Sequence, residues 1–528
     1  MTSGKKLLLW ESHVTSAKDL VLFLVMGSVA PDHRDGREDS IMPDTKRFPD
    51  GFYIGGATSD WQFEGGFGEG GRGILSVDFA TDGNQQNPRQ VTWVDADGNR
   101  GKSHWEEALP EGVELTMFDD EYYPSHRAVD FYHNWKQDIA DMAEMGFTTF
   151  RFGTCWSRIF PTGLEDEPNQ EGLDFYEAVV DELNAHGIAP LITICHDEMP
   201  MGLVEKYNGW GGRETIDCYL RYCRALFERL GSKVPLWLTF NEPNAIRGVC
   251  MMGIKDQCWQ TYWQAIHHMC VAGALAVKMG HEMCPGAKFS TMFAMSEFYA
   301  ASPRPKDVWA RYERRHEQYA IIDAMAGGGY PHNMGKVWAS FGAEVHKEPG
   351  DDELLAAYPL DFVSFSYYRS SLISDGDGVR LLGGASNDYC DEKTPWGWAV
   401  DPLGLRLCLN ELYDRYRKPL FVIENGMGAI DEVGEDGIVH DGYRIEYLAK
   451  HLSAIRDAIC IDHVDCIGYT MWGNIDLVSR STGEMAKRYG FVYVDMDDKG
   501  NGTLARSRKD SFWWFKKVCE SNGADLSI

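Results

Sequence analysis

An alternation of strand-forming and helix-forming segments, repeated eight times, most constrains the fold of this chain. Short apolar runs recur between residues 51 and 471, and helical periodicity follows each of them. The predicted strands are 51–58, 148–152, 189–195, 235–240, 287–293, 361–366, 419–424 and 465–471. Eight strands that each lead into a helix predict an α/β fold, a single (β/α)8 TIM barrel with functional groups on long carboxyl-end loops.

The helical segments and the ends of the chain set the predicted domain. Helices are expected at about 125–145, 213–230, 262–282, 306–325, 403–416, 443–458 and 511–521, and at an apolar stripe of Leu173, Tyr176, Val180 and Leu183. The Gly-, Asp- and Asn-rich portion 65–120 predicts long loops. Without a Ser/Gly-rich linker, residues 46–528 are predicted as one domain. Residues 1–45 are predicted as an extension outside the fold, because charges interrupt their loose likeness to a secretory signal.

Charge and cysteine content exclude some classes of partner. The formal net charge of −29 argues against nucleic acid or an anionic membrane as the partner. An apolar run near residue 20 is too short to span a bilayer. Thirteen cysteines without a Cys-x-x-Cys pair predict reduced thiols and a cytoplasmic location. The oligomeric state stays open, a homo-oligomer included.

Two of the apolar runs end in a glutamate. Glu242 follows the run 235–240, and Glu424 ends the run 419–424. A lone glutamate there is ordinarily solvated where the strand leaves the sheet, since burying an unpaired carboxylate is costly. Two glutamates at the ends of two parallel strands instead predict paired acid and nucleophile chemistry.

The segments around these glutamates carry a family resemblance. Thr239-Phe-Asn-Glu-Pro243 and Ile423-Glu-Asn-Gly426 match the two catalytic signatures of glycoside hydrolase family 1, and the chain from Phe48 onward resembles its 6-phospho-β-glucosidase branch. The resemblance implies that Glu242 is the general acid/base and Glu424 the nucleophile. It also implies that Asn241 binds the sugar 2-hydroxyl.

Further residues at predicted strand ends complete the expected site. Glu424 must stay ionised, and Arg151 at the end of the second strand can supply the cation. Tyr367, at the end of the sixth strand, is expected to donate a phenolic hydrogen bond to Glu424, as its family counterpart does. Side chains that resemble the family's sugar-binding groups and aglycone wall are Gln62, His196, Trp472 and Trp398.

The segment after the eighth strand predicts the substrate. Family members that act on unphosphorylated sugars carry a glutamate where Ser479 stands, and that carboxylate would repel a 6-phosphate. Lys487 and Tyr489 can add an ammonium and a phenol to the phosphate oxygens. A solvated basic cluster is the plain alternative for the Lys-Arg-Tyr run. The resemblance therefore implies a phosphorylated β-glucoside as the small-molecule partner.

Two departures from the family pattern leave alternatives open. Asp197 stands where the family has an aromatic residue, and Arg480 stands where 6-phospho-β-galactosidases carry Trp. These two residues either pair with each other or shift substrate preference. A 6-phospho-β-galactosidase, a dual-specificity enzyme, a β-glucosidase for unphosphorylated sugars and, remotely, a non-catalytic sugar-phosphate binding protein are the alternatives.

The sequence predicts neither a metal nor a cofactor. His196-Asp197-Glu198 are successive strand residues that point in opposite directions, so they do not readily bind one ion together.

Overall fold

Eight parallel strands close into a barrel in the part of the chain that the computed structural model describes, residues 46–256, 258–377 and 383–528. The strands β1 to β8 are Tyr53–Ala57, Thr149–Gly153, Ala189–Cys195, Leu236–Asn241, Lys288–Ala300, Val363–Ile373, Leu420–Asn425 and Cys466–Trp472. Each pairs in parallel with the next, and β8 pairs with β1, which closes the barrel. The predicted TIM barrel is confirmed. The predicted extension 1–45 lies outside the described residues.

A long helix follows every barrel strand. These helices, α1 to α8, are Phe131–Glu144, Gln170–Ala185, Thr215–Leu230, Trp259–Met283, Pro305–Ala326, Pro402–Tyr416, Gly442–Cys460 and Asp510–Glu520. The apolar stripe predicted for α2 is buried at all four positions, so the helical periodicity identified its core face. Shorter helices lie at Asp60–Phe63, Pro124–Arg127, Trp156–Ile159, Met201–Tyr207, Gly248–Met252, Met334–Ser340 and Asp351–Ala357, with 3₁₀ turns at Ser76–Phe79 and Gly209–Gly211.

Two local features differ from the sequence prediction. The helix expected at 125–145 is two helices, because the chain adopts positive φ angles at Ala128 and Asp130. The portion 65–120 contains a three-stranded antiparallel sheet of Gln90–Val94, Arg100–His104 and Glu114–Leu115 rather than loops alone. The first of these strands is rich in β-branched and aromatic residues, which outweigh the surrounding glycines. The remaining short strands are Ala385–Ser386, Val492–Val494 and Arg506–Arg508.

Candidate active site

An open cavity of about 1020 Å³ lies at the carboxyl ends of the barrel strands. Its wall contains Asn241, which ends β4, then Glu242 directly after it, and Glu424 near the end of β7. His196 follows β3, and Trp472 ends β8. Polar groups from several strands therefore converge on one concave site, of a size that suits a small ligand.

Irregular pairing in two strands directs polar side chains into this cavity. Leu238 of β4 and Ile423 of β7 belong to the apolar cluster that fills the barrel interior. Strict alternation would turn Glu424, the residue after Ile423, towards the helices. The pairing register shifts between Val422 and Glu424, and also between Leu238 and Asn241. Such irregularities re-aim side chains, and here they place Glu424 and Asn241 in the cavity wall.

Glu242 sits in an environment that favours its protonated form. Its backbone φ is +38°, an uncommon value for a residue other than glycine, and its carboxyl group is buried. Burial and then the charge of Glu424 raise the pKa of Glu242 to about 7. Arg480, 3.8 Å from Oε2, and a 2.5 Å hydrogen bond from Ser366 to Oε1 oppose that rise. The group is thus able to donate a proton near neutral pH.

Glu424 is held by a cation and a phenol. Arg151 donates to its Oε1, and the hydroxyl of Tyr368 donates to Oε2 at 2.9 Å. The same guanidinium also donates to Oδ1 of Asn241 at 2.8 Å. Burial raises the pKa of Glu424, while the charge of Arg151 and the hydrogen bonds from Tyr368 and Arg151 oppose that rise. Arg151 therefore lies where the sequence analysis placed it.

The prediction that Tyr367 donates to Glu424 is wrong by one residue. Tyr367 is buried on the helix side of β6, where its hydroxyl donates to the carbonyl of Asp401 at 2.8 Å. Side chains alternate along a strand, so Ser366 and Tyr368 share the face that looks into the cavity. The sequence does carry a signal for this, because polar residues at 364, 366 and 368 alternate with apolar ones at 363 and 365.

The two residues that depart from the family pattern form an ion pair. Arg480 donates through Nε to Asp197 at 2.9 Å, and Asn241 donates through Nδ2 to the other carboxylate oxygen at 3.1 Å. Asp197 adopts a φ of +80° and is buried. Of the two alternatives left open by the sequence, the pairing is confirmed. Contacts consequently run from Glu424 through Arg151, Asn241, Asp197 and Arg480 to Glu242.

Three of the four residues expected to bind the sugar line the cavity. They are His196, Trp398 and Trp472. Burial and nearby arginine charges hold the pKa of His196 well below its usual value, and Nδ1 has no hydrogen-bond partner within the described residues. A neutral imidazole can bind a hydroxyl group. Gln62 is fully buried outside the cavity wall, accepting from Ser59 at 2.8 Å and donating to a backbone carbonyl at 2.6 Å.

All three residues expected to bind phosphate line the same cavity: Ser479, Lys487 and Tyr489. The hydroxyl of Ser479 accepts a 2.9 Å hydrogen bond from Thr482. Lys487 is 2% exposed, and its ammonium lies 4.3 Å from the centre of the Trp398 ring. Burial lowers the pKa of Lys487 to about 8. The run is therefore a buried part of the site and not a solvated basic cluster.

Sequence reasoning missed several residues of the cavity wall, and three of them are polar or charged neighbours of the predicted site residues. Ser366 and Tyr368 hydrogen-bond to the two glutamates, as described above. Arg369 is the third, and its guanidinium lies 5.4 Å from the Trp398 ring. Nothing in the local sequence distinguishes Arg369 from a surface arginine, because the residue gains its environment from segments far along the chain.

Neither a metal-binding cluster nor a membrane-spanning helix is present in the residues that the structure describes. Across residues 46–256, 258–377 and 383–528, no three His, Cys, Asp or Glu side chains gather in an arrangement able to hold a metal ion. None of the helices described there combines the length and the apolar character needed to cross a bilayer.

The fold and the cavity together define a class of protein. A closed (β/α)8 barrel whose strand ends bring two carboxyl groups into one cavity, one with a raised pKa near neutrality, is typical of glycoside hydrolases. The sequence model of glycosyl hydrolase family 1 matches residues 90–524. The chain belongs to this family.

Individual relatives match almost their whole length. The chain is 45% identical over 494 residues to 6-phospho-beta-glucosidase AscB of Escherichia coli (strain K12), which covers 91% of the chain and 99% of that protein. It is 44% identical over 493 residues, with the same coverage, to aryl-phospho-beta-D-glucosidase BglH of Bacillus subtilis (strain 168). A solved structure of the family 1 β-glucosidase from Thermotoga maritima superposes with a TM-score of 0.75 at 30% identity, covering 90% of the chain and 99% of that structure.

Proposed function

We propose that this protein hydrolyses 6-phospho-β-D-glucosides, such as cellobiose 6-phosphate, and releases D-glucose 6-phosphate with retention of configuration. The observation that carries the proposal is that Ser479, Lys487 and Tyr489 line the same cavity as the two glutamates. Relatives at 44–45% identity are named as phospho-β-glucosidases, which supports the same substrate class.

Two carboxyl groups divide the chemistry between them. Glu424 attacks the anomeric carbon and forms a glycosyl-enzyme, while Glu242 protonates the departing glycosidic oxygen. Because the pKa of Glu242 is about 7, its carboxyl group holds that proton near neutral pH. Arg151 and Tyr368 stabilise the carboxylate of Glu424. Once Glu424 is esterified its charge is lost, so the pKa of Glu242 falls and the group serves as base for the attacking water.

The neighbouring residues orient the sugar. Asn241 accepts from Arg151 and donates one amide hydrogen to Asp197, which leaves the second amide hydrogen for the sugar 2-hydroxyl. The neutral imidazole of His196 binds a ring hydroxyl, and Trp472 lies beneath the sugar face.

The proposed phosphate site relies on a desolvated ammonium. Lys487 has no carboxylate within ion-pair distance in the described residues, although burial disfavours its charge. A phosphate dianion would raise the pKa of Lys487 again and accept hydrogen bonds from the hydroxyls of Ser479 and Tyr489. A glutamate at position 479 would place a negative charge against that dianion.

A cytoplasmic location is part of the proposal. All thirteen cysteines fall within the described residues and carry free thiols, and nine of them are buried: Cys155, Cys195, Cys218, Cys223, Cys250, Cys270, Cys284, Cys408 and Cys466. Free thiols are typical of a reducing compartment.

Four aryl glycosides test the substrate assignment. The p-nitrophenyl β-glucoside and β-galactoside are each assayed with and without a 6-phosphate, and kcat/KM is compared. We expect the phosphorylated glucoside to be preferred by about 100-fold or more over its unphosphorylated form, because charge-assisted contacts are lost without the phosphate. A preference for the unphosphorylated compound would overturn the proposal. A preference for the phosphorylated galactoside would make the protein a 6-phospho-β-galactosidase instead.

Two variants and one product analysis test the mechanism. E242Q should lower the rate by about 10²–10⁴-fold, since it removes the general acid. E424Q should prevent formation of the glycosyl-enzyme. NMR of the first-formed product should show the β-anomer, and an initial α-anomer would refute the retaining route.

A further inference from the structure

Arg369 differs from two other arginines near the catalytic glutamates, because each of those has an acidic partner. Arg151 is paired with Glu424, and Arg480 is paired with Asp197. Arg369 makes neither an ion pair nor a hydrogen bond with any described residue, and its contact is the face of Trp398. Burial lowers the pKa of its guanidinium. The cavity wall thus contains a half-buried cation that has no acidic partner among the described residues.

Lys487 likewise forms no ion pair with a described residue, although the charge of Glu484 partly offsets its own, and it lies beside the same ring. Its Nζ is 4.3 Å from the centre of Trp398, and the guanidinium carbon of Arg369 is 5.4 Å from it. The two charges are therefore separated by no more than about one Debye length. Burial lowers the pKa of Lys487, the charge of Glu484 opposes that fall, and the charge of Arg369 adds to it, as expected for two cations this close together.

A buried cation, Lys487, next to a half-buried one, Arg369, costs free energy in the empty cavity, and a bound anion would recover it. A singly charged anion would compensate only one of them. A phosphate monoester carries between −1.5 and −2 charges at neutral pH and offers three acceptor oxygens, so it suits a pair of cations. The fork of a guanidinium binds two phosphate oxygens at once, which an ammonium cannot do.

We propose that Arg369 is a further ligand of the substrate's 6-phosphate and that, with Lys487, it balances the two negative charges of that group. The inference rests on the proposed function, which supplies the phosphate. It adds a specificity-determining residue that lies on β6, far in sequence from Ser479, Lys487 and Tyr489. Cleavage itself stays with the two glutamates, so Arg369 acts on affinity for the phosphorylated ligand.

The test compares charge-removing and charge-keeping variants. R369M deletes the charge with an unbranched side chain, and R369K keeps the charge without the fork. R224M, an exposed arginine on α3, is the matched control. Steady-state kinetics are measured on p-nitrophenyl 6-phospho-β-glucoside and on its unphosphorylated analogue, together with inhibition by glucose 6-phosphate and the thermal unfolding midpoint.

We expect R369M to raise KM for the phosphorylated substrate and Ki for glucose 6-phosphate by about tenfold or more, while kcat changes far less. R369K should recover part of this loss, and R224M should keep the wild-type values. The phosphorylated-to-unphosphorylated ratio of kcat/KM should fall in R369M by the same factor as KM rises.

Three results would overturn the inference. One is an R369M enzyme that folds and keeps the wild-type KM and Ki. Another is an equal loss on both substrates, which would make Arg369 structural. The third is a loss confined to glucosides with a carboxylate on the aryl group, which would place Arg369 against the aglycone. If the wild-type enzyme itself prefers the unphosphorylated substrate, the proposed function fails first, so the two failures are distinguishable.

Discussion

The ion pair between Asp197 and Arg480 predicts opposite changes in the pH dependence of catalysis when either partner is neutralised. Arg480 lies 3.8 Å from Glu242 and stabilises its carboxylate form. Asp197 raises the pKa of Glu242 by its own charge. R480M should therefore raise the pKa of Glu242, and D197N should lower it.

The expected size of the change in the pKa of Glu242 follows from the distances between the charged groups. Two unit charges 3.8 Å apart interact by about 1 kcal/mol in water and by about 4 kcal/mol at an effective dielectric constant of 20. Asp197 binds the same guanidinium at 2.9 Å and cancels much of its field at Glu242. We therefore expect the net interaction between Arg480 and Glu242 to be about 1 kcal/mol, which corresponds to about 0.7 of a pKa unit.

The assay is the pH profile of kcat/KM on the phosphorylated aryl glucoside. Its basic limb reports loss of the proton from Glu242 in the free enzyme, which titrates at about 7. R480M should shift this limb to higher pH and D197N should shift it to lower pH, each by about half a unit to one unit. Asparagine tolerates the positive φ at position 197, so D197N does not strain the backbone.

The double variant completes the cycle. With both charges removed, the basic limb should return close to its wild-type position. If the two single variants move the limb in the same direction, or if neither moves it, then the pair does not tune Glu242 electrostatically and the reasoning is refuted. A lower kcat alone would not decide the matter, because Asp197 also orients Asn241.

Two further predictions follow from buried groups. Y368F removes the 2.9 Å hydrogen bond to Glu424 and should lower kcat/KM by about 10- to 100-fold. Y367F removes a hydrogen bond to the backbone of Asp401, so it should lower the unfolding midpoint and leave kcat within about twofold of wild type. Equal kinetic losses in both variants would contradict this prediction. Asp60 is buried with both carboxyl oxygens unpartnered among the described residues, and burial followed by the charge of Glu64 raises its pKa from 3.8 to about 8. Because the folded protein binds the proton of Asp60 more tightly than the unfolded chain does, protonation adds to the free energy of unfolding. This added stability is complete below pH 4 and is lost as the pH rises towards 8. D60N should therefore reduce the fall in the unfolding midpoint between pH 5 and pH 8, as measured by calorimetry. The same change in midpoint with pH in D60N and in the wild type would contradict this prediction.

Much of the fold was predictable from local patterns. Apolar runs of strand length and helical stripes depend on residues close in sequence, and eight repeats leave few topologies other than a barrel. The errors came where tertiary contacts decide the outcome. The helix at 125–145 breaks at positive φ angles, and strand β5 continues past the predicted residue 293 to Ala300 because residues 297–300 pair with 370–373 of β6.

The candidate active site shows the same contrast between what the sequence predicts and what the tertiary structure decides. The sequence by itself predicted that Glu242 and Glu424 lie close together, since the carboxyl ends of parallel strands must meet at one end of a barrel, and both line one cavity. Only the tertiary structure decided that Tyr368 and not Tyr367 faces Glu424, because one residue of register exchanges the two faces of a strand.

The electrostatic partners were likewise beyond the sequence. Asp197 and Arg480 are 283 residues apart, and Arg369 meets Lys487 beside Trp398 only after the barrel has closed. A charged residue in a sequence specifies its charge but not its neighbours or its burial. The strength of an electrostatic interaction depends on distance and on the surrounding dielectric, and folding alone sets both.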